Sequence, residues 1–431
     1  MGRSRSNQDG KVTEIIMLRE KQINIFIFFT LFMTTCIISY AILIGYSAVY
    51  LQAYDFNNTQ IGIYYSGSAL LCVLLQGRMG SFLDRSRRFS SRDVLFLLNF
   101  CSICCVAILF LAKAKPLILI TYILVGGIHL SEFTICSAFA MEYINGGENL
   151  NYALTRGISS IFFASATLGI GFLVEKWGVR VIFPLYCVCE ILLLAALFYL
   201  PKPAKVWICK GESAAHADSP NTQADKKMSQ QGGYIAFFRD KLWLLVLFVS
   251  ILLIYTSYTA ANNFQINIIQ SVGGTSRHYG ISAAIGGYVE LPATLLFMPI
   301  SKRIGYKRLL GLSCFFFLVK IGAFTLATCV WQVYLAQCCQ FLSYAFFTPA
   351  VAYYINSVLD VKDQSKGQAL VGIFTIGLSG VISSLTSGLL LDIFGVHTLL
   401  IFECFLCLIG LIGMYSVFYY SSNHLRPGKM S

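Results

Sequence analysis

The stretch GFLVEKWGVR (Gly171–Arg180) returns as GLLLDIFGVH (Gly388–His397), 217 residues further along the chain. Both copies hold glycine at the first and eighth places and an acid at the fifth, Glu175 in one and Asp392 in the other. A second pair, GSFLDRSRR (Gly80–Arg88) and MPISKRIGY (Met298–Tyr306), lies at an offset of 218. Two separate pairs at nearly one offset imply an internal duplication of about half the chain. In an apolar chain, two like halves are the arrangement of carriers that work a site between two bundles.

Of the 431 residues, 57% are hydrophobic and 12% are charged, against roughly 25% charged in soluble domains. Apolar windows long enough to cross the hydrocarbon, about 20 residues each, can be placed twelve times. The expected fold is an all-α membrane protein of twelve transmembrane helices in two six-helix bundles. Its expected divisions are an N-terminal tail (1–22), a first bundle (23–200), a polar linker (201–240), a second bundle (241–421) and a C-terminal tail (422–431). The first span is too long for a signal-peptide core and lacks a small-residue cleavage site, so it is expected to stay.

The net charge of +12 belongs to topology, not to nucleic-acid binding. Lys and Arg crowd the two tails, the linker and the loops near Arg85 and Arg303, whereas the opposite loops carry only Lys113, Lys115, Lys176, Arg180 and Arg277. The positive-inside rule then places both termini in the cytoplasm of a multi-pass protein of the plasma or inner membrane, in contact with the lipid bilayer. Most of the fifteen cysteines lie in apolar spans without zinc or redox spacing, where they act as small apolar residues. Neither a cofactor nor a metal site is expected. The loops are too short to hold a catalytic domain, so function must sit between helices, which excludes an enzyme of ordinary architecture.

The loop Gly80–Arg88 reads Gly-x-x-x-Asp-Arg followed by basic residues. On this motif, the repeat and the long linker, the chain resembles the major facilitator superfamily, with Arg87 where that family usually has glycine. The resemblance implies a conformational latch built on Gly80, Asp84, Arg85 and Arg88, since an acid at one helix end can meet both a guanidinium and a helix N-terminus. In the second copy Lys302 replaces the acid.

Glu142 and Arg156 are two opposite charges in apolar surroundings, where a charge is retained chiefly when paired or wet. With YALTRGISSIFF (Tyr152–Phe163) they resemble the oligosaccharide–proton symporter family. That resemblance implies a sugar site in which Glu142 and Arg156 hold hydroxyls and Phe163 stacks on the ring. It also matches Glu290 (in GYVELP) and Lys320 (in FLVKIG) to intramembrane charges of the second half, while Gln340 and Ser343 replace that family's titratable pair. Glu290 is then the expected partner of Lys320 and the candidate proton carrier; uncoupled transport is the equal alternative. Polar residues at helical spacing, Tyr255, Tyr258, Asn262 and Gln265 and again Gln337, Gln340 and Tyr344, each share one helix face. His129 and Glu132 form a weaker candidate, expected near the membrane edge.

The sequence thus points to a transporter of a small polar solute, a sugar or oligosaccharide ahead of a nucleoside, with H+ as a candidate coupling ion. A multidrug-type exporter and an uncoupled facilitator are the alternatives. A monomer is expected.

Overall fold

The computed structural model describes residues 23–86, 89–148, 150–203, 238 and 241–424. The candidate latch falls largely outside this description. Gly80, Asp84 and Arg85 lie on the helix Asn58–Arg85 with their side chains undescribed, and Arg88 lies outside the described residues. The two tails and nearly all of the linker are outside it as well.

The described chain is helical. The elements are α1 (Ile23–Ala53), α2 (Asn58–Arg85), α3 (Ser91–Leu111), α4 (Lys115–Asn145), α5 (Tyr152–Trp177), α6 (Ile182–Tyr199), α7 (Leu242–Asn263), α8 (Gln265–Ser271), α9 (Ser276–Ile304), α10 (Tyr306–Thr325), α11 (Val330–Cys338), α12 (Tyr344–Val358), α13 (Val361–Gly372) and α14 (Ser379–His424). Short polar side chains start several of them by taking up free backbone donors. Asn57 accepts from the Gln60 amide and receives the Gln60 side chain in return. Ser90 with Asp93 and Thr275 with His278 repeat the device.

Among the described residues, nine helices are long and apolar enough to cross a membrane, fewer than the twelve spans expected. The shortfall has identifiable causes. α2 carries polar residues through much of its length, including Gln60, Ser66, Ser68, Gln76 and Arg78. The segment from Val330 to Val358 is broken by a 3-10 turn at Cys339–Phe341 and a non-helical Ser343. The segment from Lys366 to Ser421 registers as one long element, although Gly395 inside it is non-helical, at φ 79°.

The duplicated motif explains how the halves meet. Its second glycine, Gly178 or Gly395, takes φ 80° or 79°, a left-handed backbone that glycine adopts without steric cost. Its first glycine lets helices touch at backbone distance. A Cβ added to Gly388 would stand 2.4 Å from the Asn58 carbonyl oxygen, and one added to Gly171 would stand 3.1 Å from that of Ser276. Accordingly α5 packs on α9 and α2 packs on α14 across the two halves.

The motif's acid completes each contact. Asp392 accepts from the Asn58 amide (2.9 Å) and side chain (2.9 Å) and from the Thr59 amide (2.8 Å) and hydroxyl (2.6 Å). It therefore caps the N-terminus of α2 from the other half, where the helix dipole favours a negative charge. Glu175 makes the corresponding, thinner contact, accepting from the Thr275 hydroxyl at 3.2 Å at the start of α9. Side-chain amides join the same end: Gln52 donates to Asn267, which donates to Asn58. The exposed setting lowers each bond below the about 1.5–3 kcal/mol of a buried charged one, but four converge on one carboxylate. Asp392→Ala should let this end open. Spin labels at Leu111 and Ile393, both exposed there, should then report a longer distance population; an unchanged distribution would remove Asp392 from the contact.

Candidate functional site

The polar cluster of the second half is built on a broken helix. The 3-10 turn between α11 and α12 carries Gln340 into the interior, where it is 4% exposed. From α10 comes Lys320, 1% exposed, and from α9 comes Glu290, two residues before the in-helix Pro292. Gln340 joins them. Its Oε1 accepts from Lys320 Nζ at 2.6 Å, while its Nε2 donates to Glu290 Oε1 and to the Tyr258 hydroxyl, each at 3.1 Å. Only this orientation of the amide suits both partners, because an ammonium only donates and a carboxylate only accepts.

Aromatic rings wall the cluster. Tyr258 stacks on Tyr344 at 5.1 Å and meets Phe317 and Tyr255 at their edges. Lys320 Nζ lies 5.4 Å from the Tyr258 ring centre and 5.6 Å from that of Phe324, within cation–π range. Asn262 faces the Tyr258 hydroxyl from α7. Arg156, on the first half, is exposed and lies over the Phe133 ring at 5.9 Å. It stands within electrostatic reach of Glu290 and Tyr344. Phe163 packs where the first half meets Gly287 of α9.

Two expected pairings are replaced. Glu142 is not joined to Arg156 by an ion pair among the described residues; its carboxylate accepts from the Ser91 hydroxyl (2.6 Å) and amide (3.4 Å). The cause is position: Glu142 lies one turn from the end of α4 and caps the start of α3, a favourable place for an anion. Glu290 likewise reaches Lys320 through Gln340, with no direct ion pair between them among the described residues.

His129 and Glu132 lie at the middle of α4. They are 1% and 0% exposed, with Nδ1 and Oε2 2.9 Å apart. Two further acids went unnoticed in the sequence, Glu190 on α6 and Glu403 on α14, each fully buried in the last long helix of its half. The signal was available, since a lone acid in an apolar helix is expensive and seldom idle. Glu403 receives the Ser387 hydroxyl at 3.3 Å.

Two like helical halves, meeting through paired glycine contacts and holding charged and aromatic side chains inside, define a polytopic membrane carrier. The chain belongs to the MFS_1 like family, whose model matches residues 22–402. A curated relative, the probable 3-phenylpropionic acid transporter of Escherichia coli (strain K12), is 26% identical over 163 residues, which is 37% of this chain and 40% of that protein. The chain thus aligns with about two-fifths of that relative's length. Among solved structures, the nucleoside transporter NupG gives a TM-score of 0.72 at 12% identity, covering 93% of this chain and 99% of that one. A bacterial homolog of the human lysosomal transporter Spinster, inward-facing and unoccupied, gives 0.65 at 12% (95% and 99% covered). A D-xylose-proton symporter gives 0.63 at 14% (92% and 96% covered). These likenesses show the fold, a helical arrangement shared with those proteins over nearly the whole chain.

The Gln340 bridge predicts a stability pattern. Gln340→Ala leaves buried Lys320 and Glu290 without their shared partner, at a cost of about 1–3 kcal/mol, and should lower the thermal unfolding midpoint in detergent. Gln340→Glu restores an acceptor for Lys320 but sets a second carboxylate against Glu290, so it should unfold at a higher temperature than Gln340→Ala when each is combined with Glu290→Gln. Equal midpoints for the two double variants would exclude the bridge.

Proposed function

We propose that this chain imports a small monoanionic solute bearing an aromatic or other flat ring, by alternating access between two six-helix bundles (23–200 and 241–421) with both termini in the cytoplasm. The observation that carries the reading is Arg156, an exposed guanidinium within electrostatic reach of Glu290, with no salt bridge among the described residues. Glu290 is already bonded to Gln340. The guanidinium is left for a solute, beside the rings of Tyr255, Tyr258 and Tyr344. A guanidinium binds a carboxylate through two parallel hydrogen bonds, and stacked tyrosines favour a flat ring. The name of the partial relative, a probable 3-phenylpropionic acid transporter, is of the same chemical class.

In this proposal Glu290, Lys320, Gln340, Asn262 and Arg156 line the solute site, Phe163 borders it, and Glu290 with Lys320 links solute to H+. Glu142 is assigned a structural role at the start of α3. The sugar reading drew on a Glu142–Arg156 constellation, and the separation of those two residues supports placing it second, ahead of a nucleoside.

Counterflow in proteoliposomes separates these solutes without needing a driving force. Labelled 3-phenylpropionate should exchange at least roughly tenfold faster than a hexose, a disaccharide or a nucleoside, the factor that one good interaction of about 1.4 kcal/mol supplies. Arg156→Gln should abolish that exchange, because the planar fork is lost. Faster exchange of a sugar would restore the sugar reading and overturn the anion one.

A further inference from the structure

The first half contains a second titratable cluster that the solute site does not use. His129 and Glu132 on α4 and Glu190 on α6 are at most 1% exposed. His129 Nδ1 lies 2.9 Å from Glu132 Oε2, off the direction of a hydrogen bond. Among the described residues, both ring nitrogens, both oxygens of Glu132, both oxygens of Glu190 and the Ser39 hydroxyl have no hydrogen-bond partner of normal geometry, although the Ser39 and Tyr186 side chains lie close to Glu190. Seven buried polar atoms left open in one place is contrary to the usual economy of a protein interior.

Among the described residues the neighbours supply no cation. From α1 come Cys36, Ser39 and Tyr40, with Tyr40 stacked on His129 at 6.2 Å. On α4 itself Cys136 meets Cys36 at an S···S distance of 3.7 Å. From α6, Tyr186 faces Glu190 and is hydrogen-bonded to Ser102 of α3, while Cys187 and Cys189 flank the same acid. Two carboxylates with one imidazolium would leave a net negative charge in a dry interior, which is costly. The neutral cluster holds two protons among its three groups. When water or a neighbouring helix shifts, one proton is exchangeable.

We propose that His129, Glu132 and Glu190 form a proton-binding site inside the first half, separate from the Glu290 cluster. α1 is built to respond to it. Immediately after Tyr40 the helix passes into a π turn at Ala41–Gly45, a local widening that often marks functional positions. The far side of that turn reaches the other half, since the Tyr279 hydroxyl donates to the Gly45 carbonyl at 2.6 Å. A change in protonation beside Tyr40 therefore acts on the segment of α1 that touches the second half. A divalent metal is the competing occupant, because Cys36, His129 and Glu132 place ligand atoms within 4.8 Å of one another. A proton fits better: the imidazole and both carboxylates can each take one, and the 2.9 Å His129–Glu132 approach brings two such groups together.

The proposal rests on the transporter reading only for its part in transport, so the site is tested without any solute. Infrared difference spectra of the purified full-length protein, recorded across a pH titration in detergent, should contain a protonated-carboxyl band that shifts in deuterated water. That band should be lost in Glu132→Gln or Glu190→Gln and kept in Glu290→Gln and Glu403→Gln. Should a Gln variant fail to fold, Glu132→Asp or Glu190→Asp should displace the band instead of removing it. Folded variants at both positions with the wild-type spectrum would overturn the proposal. So would one equivalent of zinc in the purified protein, lost in Cys36→Ala and His129→Ala. Failure of counterflow with every solute would count against the transporter reading and leave the spectroscopic result standing.

Discussion

The two halves close on one another at one end through Asp392, seated on the start of α2. The carboxylate is bonded to two backbone amides and two side chains of the other half, at a helix end where peptide dipoles add to the attraction. The contact exists only because glycine at 388 lets α14 approach α2 to backbone distance. The duplicated counterpart, Gly171 and Glu175 against Gly280 and Thr275, repeats the geometry with one bond in place of four. The two contacts are therefore unequal in strength, and the α2–α14 side is the firmer of the two.

Inside each half the chain handles charge differently. In the second half a neutral amide stands between Lys320 and Glu290 and satisfies both, so the cluster is polar and connected. In the first half the acids and the histidine face one another, and among the described residues their polar atoms form no hydrogen bond. Connected networks hold a shape, and incompletely satisfied ones are where a proton or ligand changes the energy most. The proposed solute site is built on the connected cluster, with Arg156 reaching it from the first half, and the proposed second proton site on the unsatisfied one.

The helical class and the duplication were legible because hydropathy and a repeated ten-residue motif need no tertiary information. The motif was read as a sign of two halves, and its structural work, a backbone turn and a cap across the interface, needed coordinates. Lys320, Glu290 and Gln340 stand out in the sequence as polar residues of apolar segments, but that Gln340 bridges the other two depends on the 3-10 turn that carries it inward. Glu142 misled because a charge in an apolar segment was assumed to seek an opposite charge. The free backbone donors at Ser91 were an equally good partner that spacing along the chain cannot reveal. Broken segments such as Cys339–Phe341 escape any window-based reading, since the residues are apolar enough and only the backbone departs from the helix.

The central claim is a solute site that opens to one side of the membrane at a time. It is tested by placing a cysteine at Asn262, beside Tyr258, after replacing the exposed Cys104 and Cys338. Reaction with a membrane-impermeant thiol reagent is then followed from each side, with and without solute. With the α2–α14 contact closed, the account predicts reaction from the cytoplasmic side only, and protection when solute is bound. Equal reaction from both sides at once, unaffected by solute, would contradict it.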